Sequence, residues 1–339
     1  MTGQTTLPPI LIALRYFTTL RVKMLVPPPI TTTTCQIVAL EGLIGVGKST
    51  LTDKIKRIAP NVEVLREHIN PALLELFYTD PIKYGFAMQW AALLQRIYQS
   101  RLLMQLPDTA YVVWDRSMLG DYAFALWNHL SGNIDAKEMA AYESMFGGSA
   151  RISSVNPMQA GWSFTSQSSS GKLVNSPFVK YVDHYLWLVD HPMECKRRVE
   201  LRRSDPAEQG IPDSYYQGLE DVHIFLFLQI LSDPSCQGMV KVRRWDQYCD
   251  TGDLAQLLES PGLTAKDVSA SARLPQQHPS ENPAPELQVI NPRYYPDHGI
   301  RSEVAEDYGF VILSDHSKTE LYRYLTNGGD PDYISFAAQ

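Results

Sequence analysis

The sequence predicts an α/β fold: an open, doubly wound parallel sheet of five strands with helices on both faces. Three observations point to it. Short runs rich in β-formers alternate with helical stretches long enough to serve as crossovers. Several runs are apolar nearly throughout, as expected of strands covered on both faces. The residues equipped for chemistry, Glu41-Gly42, Glu67, Asp115-Arg116 and Asp190, fall at the carboxyl ends of these runs, where open sheets hold their ligands.

The elements follow in order. Gln36–Glu41 reads as the first strand, and a glycine-rich turn leads into a helix over Lys48–Ile58. Val62–Glu67 reads as the second strand and Tyr84–Leu106 as a long helix. Ala110–Asp115 is the third strand, followed by a helix over Asp135–Phe146. His184–Asp190 is the fourth strand, a helix runs from Pro192 to Arg203, and Val240–Trp245 is the fifth strand.

The 339 residues are 44% hydrophobic and 20% charged, near the globular average, which excludes wholesale disorder, a collagen-like rod and a coiled coil. The net charge of −7, with no sustained basic block, argues against a nucleic-acid polymer as partner. Cys35, Cys195, Cys236 and Cys249 lack paired or metal-ligand spacing, so a reducing compartment is the default. No apolar run of 18 residues exists to span a membrane.

Composition divides the chain into residues 1–34, a main domain over 35–264, and a Pro-rich linker with a C-terminal extension over 265–339. The first 34 residues contain no Asp or Glu, nine threonines, and Arg15, Arg21 and Lys23. That pattern fits a mitochondrial presequence, with a plain tail on a cytoplasmic protein as the alternative. Residues 147–177 hold nine serines and no acids and read as a surface insertion. Six prolines between Leu274 and Pro296 argue against a core helix or central strand there.

Gly42-Leu-Ile-Gly45-Val-Gly47-Lys48-Ser49 satisfies G-x-x-x-x-G-K-[ST] directly after a strand and at the start of a helix. Backbone N–H groups of such a loop point at phosphate oxygens, aided by the helix dipole. Lys48 then reaches the β and γ phosphates, Ser49 offers its hydroxyl to Mg²⁺, and Thr50 continues the same turn. The expected ligand is a purine nucleoside triphosphate, ATP with Mg²⁺.

Four further segments, in order and spacing, resemble the deoxyribonucleoside kinase family, its deoxycytidine and deoxyguanosine kinases in particular. They are Val64-Leu-Arg-Glu67-His-Ile-Asn; Phe77-Tyr78-Thr-Asp-Pro with Gln89 and Arg96 beyond; Asp115-Arg116-Ser117 with Asp121; and Arg198-Val-Glu-Leu-Arg202-Arg203 followed by Glu208-Gln-Gly-Ile-Pro212. The resemblance covers about residues 37–228. It implies a P-loop kinase fold with a lid over residues 198–212, and phosphorylation of a deoxyribonucleoside 5′-hydroxyl.

It also implies the roles. A 5′-hydroxyl must lose its proton as it attacks phosphorus, and Glu67 corresponds to the family's general base. Arg116, with Lys48, offsets charge on the transferring group. Asp115 stands where the family has an acid near Mg²⁺, usually the longer Glu. Arg198 and Arg202 match the lid arginines over ATP, whereas the adjacent Arg202-Arg203 and the extra residue before Glu208 depart from the usual R-x-R. Tyr78 and Glu208 correspond to readers of the sugar 3′-hydroxyl, and Gln89 to a reader of the base edge. Phe124 corresponds to an aromatic that stacks on the base, and Trp90 is larger than the family pattern expects. Arg96 and Asp121, as a pair near the base, accompany use of deoxycytidine, deoxyadenosine or deoxyguanosine. Family members are commonly homodimers.

Two other readings compete. A nucleoside monophosphate kinase would need extra arginines for its acceptor's phosphate. A kinase-fold, catalytically silent accessory subunit of mitochondrial respiratory complex I would suit the acid-free leader and the long extension. It has no need for Lys48, Ser49, Glu67, Arg116 and Glu208 together.

Overall fold

The computed structural model describes residues 36–59, 62–103, 106, 111–147, 182–202, 208, 210–231, 236, 239–244, 284–290, 299–327, 329 and 334–338. The leader, nearly all of the serine-rich insertion, Arg203 and the proline-rich stretch before residue 284 lie outside these residues.

Strands β1 (Gln36–Glu41), β2 (Glu63–Leu65), β3 (Tyr111–Asp115), β4 (His184–Val189) and β5 (Val240–Arg244) form one sheet in the order β2-β3-β1-β4-β5, parallel throughout. The order moves outward from β1 in both directions, so right-handed crossovers put helices on both faces. The middle strands are buried along almost their whole length, which explains their unbroken apolar runs. Trp187 of β4 stacks on Phe227 at 4.6 Å. The predicted five-stranded doubly wound sheet is therefore present.

Strand β2 stops at Leu65, two residues short of the expected Glu67. Beyond it the backbone groups find side-chain partners instead of a ladder. Gln99 donates to the Arg66 carbonyl at 2.7 Å, and Arg96 donates to the Asp115 carbonyl at 3.5 Å. Glu67 thereby sits in the coil that follows β2 rather than within a strand.

Helix α1 (Lys48–Ile58) follows the glycine loop. Helix α2 (Pro71–Thr79) is capped by Asn70, whose side chain accepts from Ala72 and Leu73. Asp80 closes α2 and accepts from Lys83, so α3 (Pro81–Leu103) begins at once, three residues before the expected Tyr84. Helices α4 (Met118–Leu130) and α7 (Asp213–Leu231) are buried nearly all round, and α5 (Ala136–Gly147) and α6 (Pro192–Arg202) complete the layer. None of the described helices is long and apolar enough to cross a membrane.

The C-terminal residues pack onto this unit. Strand β6 (Glu286–Ile290) is the middle strand of a small sheet ordered β7-β6-β8, with β7 (Ile312–Leu313) antiparallel and β8 (Ser335–Ala338) parallel to it. The proline count wrongly argued against a central strand here, because β6 fits in the proline-free interval between Pro285 and Pro292. Helix α8 (Ser302–Tyr308) lies on α4, and α9 (Asp315–Thr326) lies against β5 and β6. Lys318 of α9 reaches two buried carboxylates of α7, Asp221 at 2.5 Å and Glu220 at 3.2 Å. Tyr322 donates to Glu220 at 2.9 Å.

Candidate active site

The loop between β1 and α1 takes its shape from positions where only glycine fits. Gly42 has φ 130°, and a Cβ there would lie 2.3 Å from the Leu188 carbonyl oxygen of β4. Gly45 has φ 77°, and its Cβ would lie 2.2 Å from the carbonyl oxygen of Cys195 in α6. Gly47 caps α1, so the loop ends on the free N–H groups of a helix N-terminus. Lys48 is buried over the loop and donates to the carbonyls of Gly42 at 3.1 Å and Leu43 at 2.8 Å. Burial and the neighbouring Arg116 lower its pKa to about 8, against the pull of Asp115 and Glu67.

Next to this cradle, Glu67 pairs with Arg96 and lies 3.3 Å from Nε of Arg116. Burial raises the Glu67 carboxyl, but Arg116, Arg96 and Lys48 outweigh it and hold the group below the usual carboxylate range. Arg116 adopts φ 67°, a left-handed backbone unusual for a side chain of its size. Its amide donates to the Leu40 carbonyl at 3.0 Å, its guanidinium donates to the Gly42 carbonyl at 3.2 Å, and the group lies 4.4 Å from the Phe124 ring. Phe124 thus carries Arg116 on its ring, besides meeting His223 edge-on at 6.2 Å. His223 donates from Nδ1 to the Leu219 carbonyl, 2.8 Å away. Burial, then Arg116, lowers its pKa to about 3, so the ring is neutral and Nδ1 carries the donated proton.

Beneath lies a support built on Glu41. Glu41 is wholly buried, and its Oε1 accepts from the amide of Ser117 at 2.7 Å and its hydroxyl at 2.5 Å. This fixes the turn that carries Asp115 and Arg116. Asp115 is buried beside Lys48; its Oδ1 has no hydrogen-bond partner, and burial raises its pKa. Ser49 is exposed in the first turn of α1. Among the described residues no three His, Cys, Asp or Glu side chains gather as a metal cage. An exposed hydroxyl in the first turn of α1 and a carboxyl with an unpartnered oxygen at the end of β3 are oxygen donors of the kind Mg²⁺ takes.

The acceptor side is built from α2, α3, α4 and α7. Tyr78 meets Tyr215 edge-on at 6.5 Å. Burial, Tyr215 and Glu208 together push the Tyr78 hydroxyl well above its ordinary pKa. Gln89 is buried with an unpartnered Oε1. Trp90 is half-buried against Phe86, 5.4 Å away. The expected Arg96–Asp121 pair is not formed. Arg96 bonds to Glu67 and to Gln99, 3.2 Å away, because Gln99 stands one turn along the same helix. Asp121 accepts instead from the Tyr142 hydroxyl at 2.6 Å. In the lid, Arg202 reaches Thr50 of α1 at 3.1 Å, while Arg198 pairs with Asp190 and lies 3.4 Å from Glu194. Gln99, Tyr142, Tyr215 and His223 carried no motif that would have marked them.

The arrangement can therefore hold phosphates on backbone amides, keep a carboxylate ionised beside them, and offer several guanidinium groups to negative charge. Comparisons with known proteins give the following likenesses. The family model described as deoxynucleoside kinase matches residues 38–156. A deoxyadenosine kinase of Dictyostelium discoideum is 26% identical over 66% of this chain and 78% of its own length. A deoxyguanosine kinase of the same organism is 27% identical over 63% of this chain and 66% of its own. Structures of a deoxyadenosine kinase from M. mycoides are similar to 66% of this chain and 96% of theirs, with 20% identity and a TM-score of 0.47 for one of them.

Proposed function

We propose that the chain is a deoxynucleoside kinase, as its likeness to that family supports, and that it transfers the γ-phosphoryl group of ATP to the 5′-hydroxyl of deoxyadenosine, deoxyguanosine or deoxycytidine, with Glu67 as general base. The observation that carries this reading is Glu67 held ionised by Arg96 and Arg116 beside the phosphate cradle.

A base must be deprotonated to accept the hydroxyl proton, and the two guanidinium groups keep Glu67 in that state at neutral pH. The loop amides and Lys48 bind the β and γ phosphates. Lys48 then exchanges its bonds to the Gly42 and Leu43 carbonyls for phosphate oxygens. Arg116 offsets charge on the transferring group. Ser49 and Asp115 would hold Mg²⁺, which would offset negative charge on the phosphates. Arg202 closes over the donor from the lid. Tyr78 and Glu208 read the 3′-hydroxyl, and the unpartnered amide oxygen of Gln89 reads the base.

Glu67→Gln is the test. It lowers kcat by about 10²–10⁴-fold while ATP still protects the protein against thermal unfolding. A kcat within threefold of the parent would remove Glu67 as base. Nothing among the relatives named above supports a silent respiratory-complex subunit. On the acid-free residues 1–34 we further propose a mitochondrial location, tested by tagged fusions with and without them. On the family pattern we also propose a homodimer, tested by sedimentation.

A further inference from the structure

We propose that Asp190 is a carboxylate gate on donor binding: it competes with the triphosphate for the guanidinium of Arg198 and so limits the affinity of the cradle, an inference that rests on the phosphate-binding half of the reading above.

Three contacts place this pair on the rim of the cradle. Asp190 follows β4 directly, two residues beyond Leu188, whose carbonyl oxygen a Cβ on Gly42 would strike. Arg198 stands on α6 between Cys195 and Val199, and both of these crowd Gly45. A Cβ on Gly45 would lie 2.2 Å from the Cys195 carbonyl oxygen and 2.8 Å from Cγ2 of Val199. One turn further along, Arg202 reaches the Thr50 hydroxyl of α1 at 3.1 Å. Cys195, Arg198, Val199 and Arg202 follow the helical spacing i, i+3, i+4, i+7. Arg198 therefore belongs to the face of α6 that is turned to the glycine loop and the start of α1.

Arg198 is nevertheless held by carboxylates. Its Nη2 donates to Oδ2 of Asp190, and its Nε lies 3.4 Å from Glu194. Glu194 is shared with Arg197, from which it takes two bonds at 2.8 and 2.7 Å. Asp190 is itself fixed in place. Its Oδ1 accepts from the His191 amide at 2.8 Å, just ahead of the first turn of α6, where the helix dipole favours negative charge. The Arg198 and Asp190 side chains are 17% and 23% exposed, so water screens the pair only in part. A guanidinium given to phosphate must leave this partner, and the carboxylate left behind repels the incoming charge. Both effects weaken the hold on an anion, and neither touches an uncharged ligand.

Asp190→Asn and Asp190→Ser test this, because each keeps an acceptor for the His191 amide and drops the charge. Calorimetry on the full chain measures Kd for ATP, for inorganic tripolyphosphate and for deoxyadenosine. A bond from arginine to phosphate is worth about tenfold or more in affinity. Both variants therefore bind ATP and tripolyphosphate about tenfold more tightly, while deoxyadenosine, which carries no phosphate, keeps its Kd. Unchanged or weaker binding of the two anions in the variants overturns the proposal. So does an equal tightening of deoxyadenosine. A parent that binds both anions and turns over no nucleoside overturns the kinase reading and leaves this comparison in force. A parent that binds neither anion overturns the cradle and the gate together.

Discussion

Replacing Lys318 with methionine takes away a cation from between two carboxylates that the fold has already stripped of water. The side chains of Lys318, Glu220 and Asp221 are 7%, 7% and 0% exposed, with Nζ 3.2 Å from Glu220 and 2.5 Å from Asp221. A solvated pair of this kind would contribute about 0–1 kcal/mol. Here the loss leaves buried negative charge uncompensated, a defect of about 3–5 kcal/mol. Tyr322 still donates to Glu220, which favours the lower end of that range. With a urea slope near 3 kcal/mol/M, the unfolding midpoint falls by about 1 M. The sign of the pH dependence follows from the lysine. Burial lowers its pKa, but Asp221 and Glu220 together raise it above the ordinary value. Its contribution is therefore fully present below about pH 10.4 and is lost only as pH rises beyond that towards the folded-state pKa. Urea unfolding of the full chain at pH 7 and above pH 10 measures both effects. A midpoint within about 0.2 M of the parent at pH 7 would refute the assignment of Lys318 as a buried counter-ion.

Other substitutions probe the site itself. Gly120→Ala would bring a Cβ to 2.0 Å from Glu41 Oε2 and 2.6 Å from Arg116 Cγ, so it should destabilise the protein by about 1–3 kcal/mol and reduce kcat, read by thermal unfolding and steady-state kinetics. Arg202→Ala should raise the KM for ATP by about tenfold with little change in nucleoside KM, because its partner Thr50 belongs to the phosphate-loop helix. Tyr78→Phe should raise the KM for the deoxynucleoside by about tenfold while 2′,3′-dideoxynucleosides are affected far less, a comparison that isolates the 3′-hydroxyl.

Much of the parallel sheet could be read because its strands are buried on both faces and so appear as plain apolar runs. The glycine spacing and Lys48 revealed the cradle because backbone geometry there excludes other residues. Helices α4 and α7 were harder to read, since burial all round erases the amphipathic period that marks a surface helix. Strand β6 was masked by flanking prolines that lie just outside its ladder. The partners of Arg96 were mistaken because Glu67 and Asp121 both lie within its electrostatic reach, and only the helix geometry decides which one receives the hydrogen bond. Contacts such as Lys318–Glu220, 98 residues apart, leave no local signal at all.

The close approach of Gly45 to the Cys195 carbonyl ties the glycine loop and helix α6 into one body. The opening turn of α6 serves as the rear wall of the phosphate cradle, so that turn cannot swing away without unseating the loop. Position 45 consequently acts at a distance: a methyl group there would disturb donor binding directly and also tilt the segment that delivers Arg198 and Arg202.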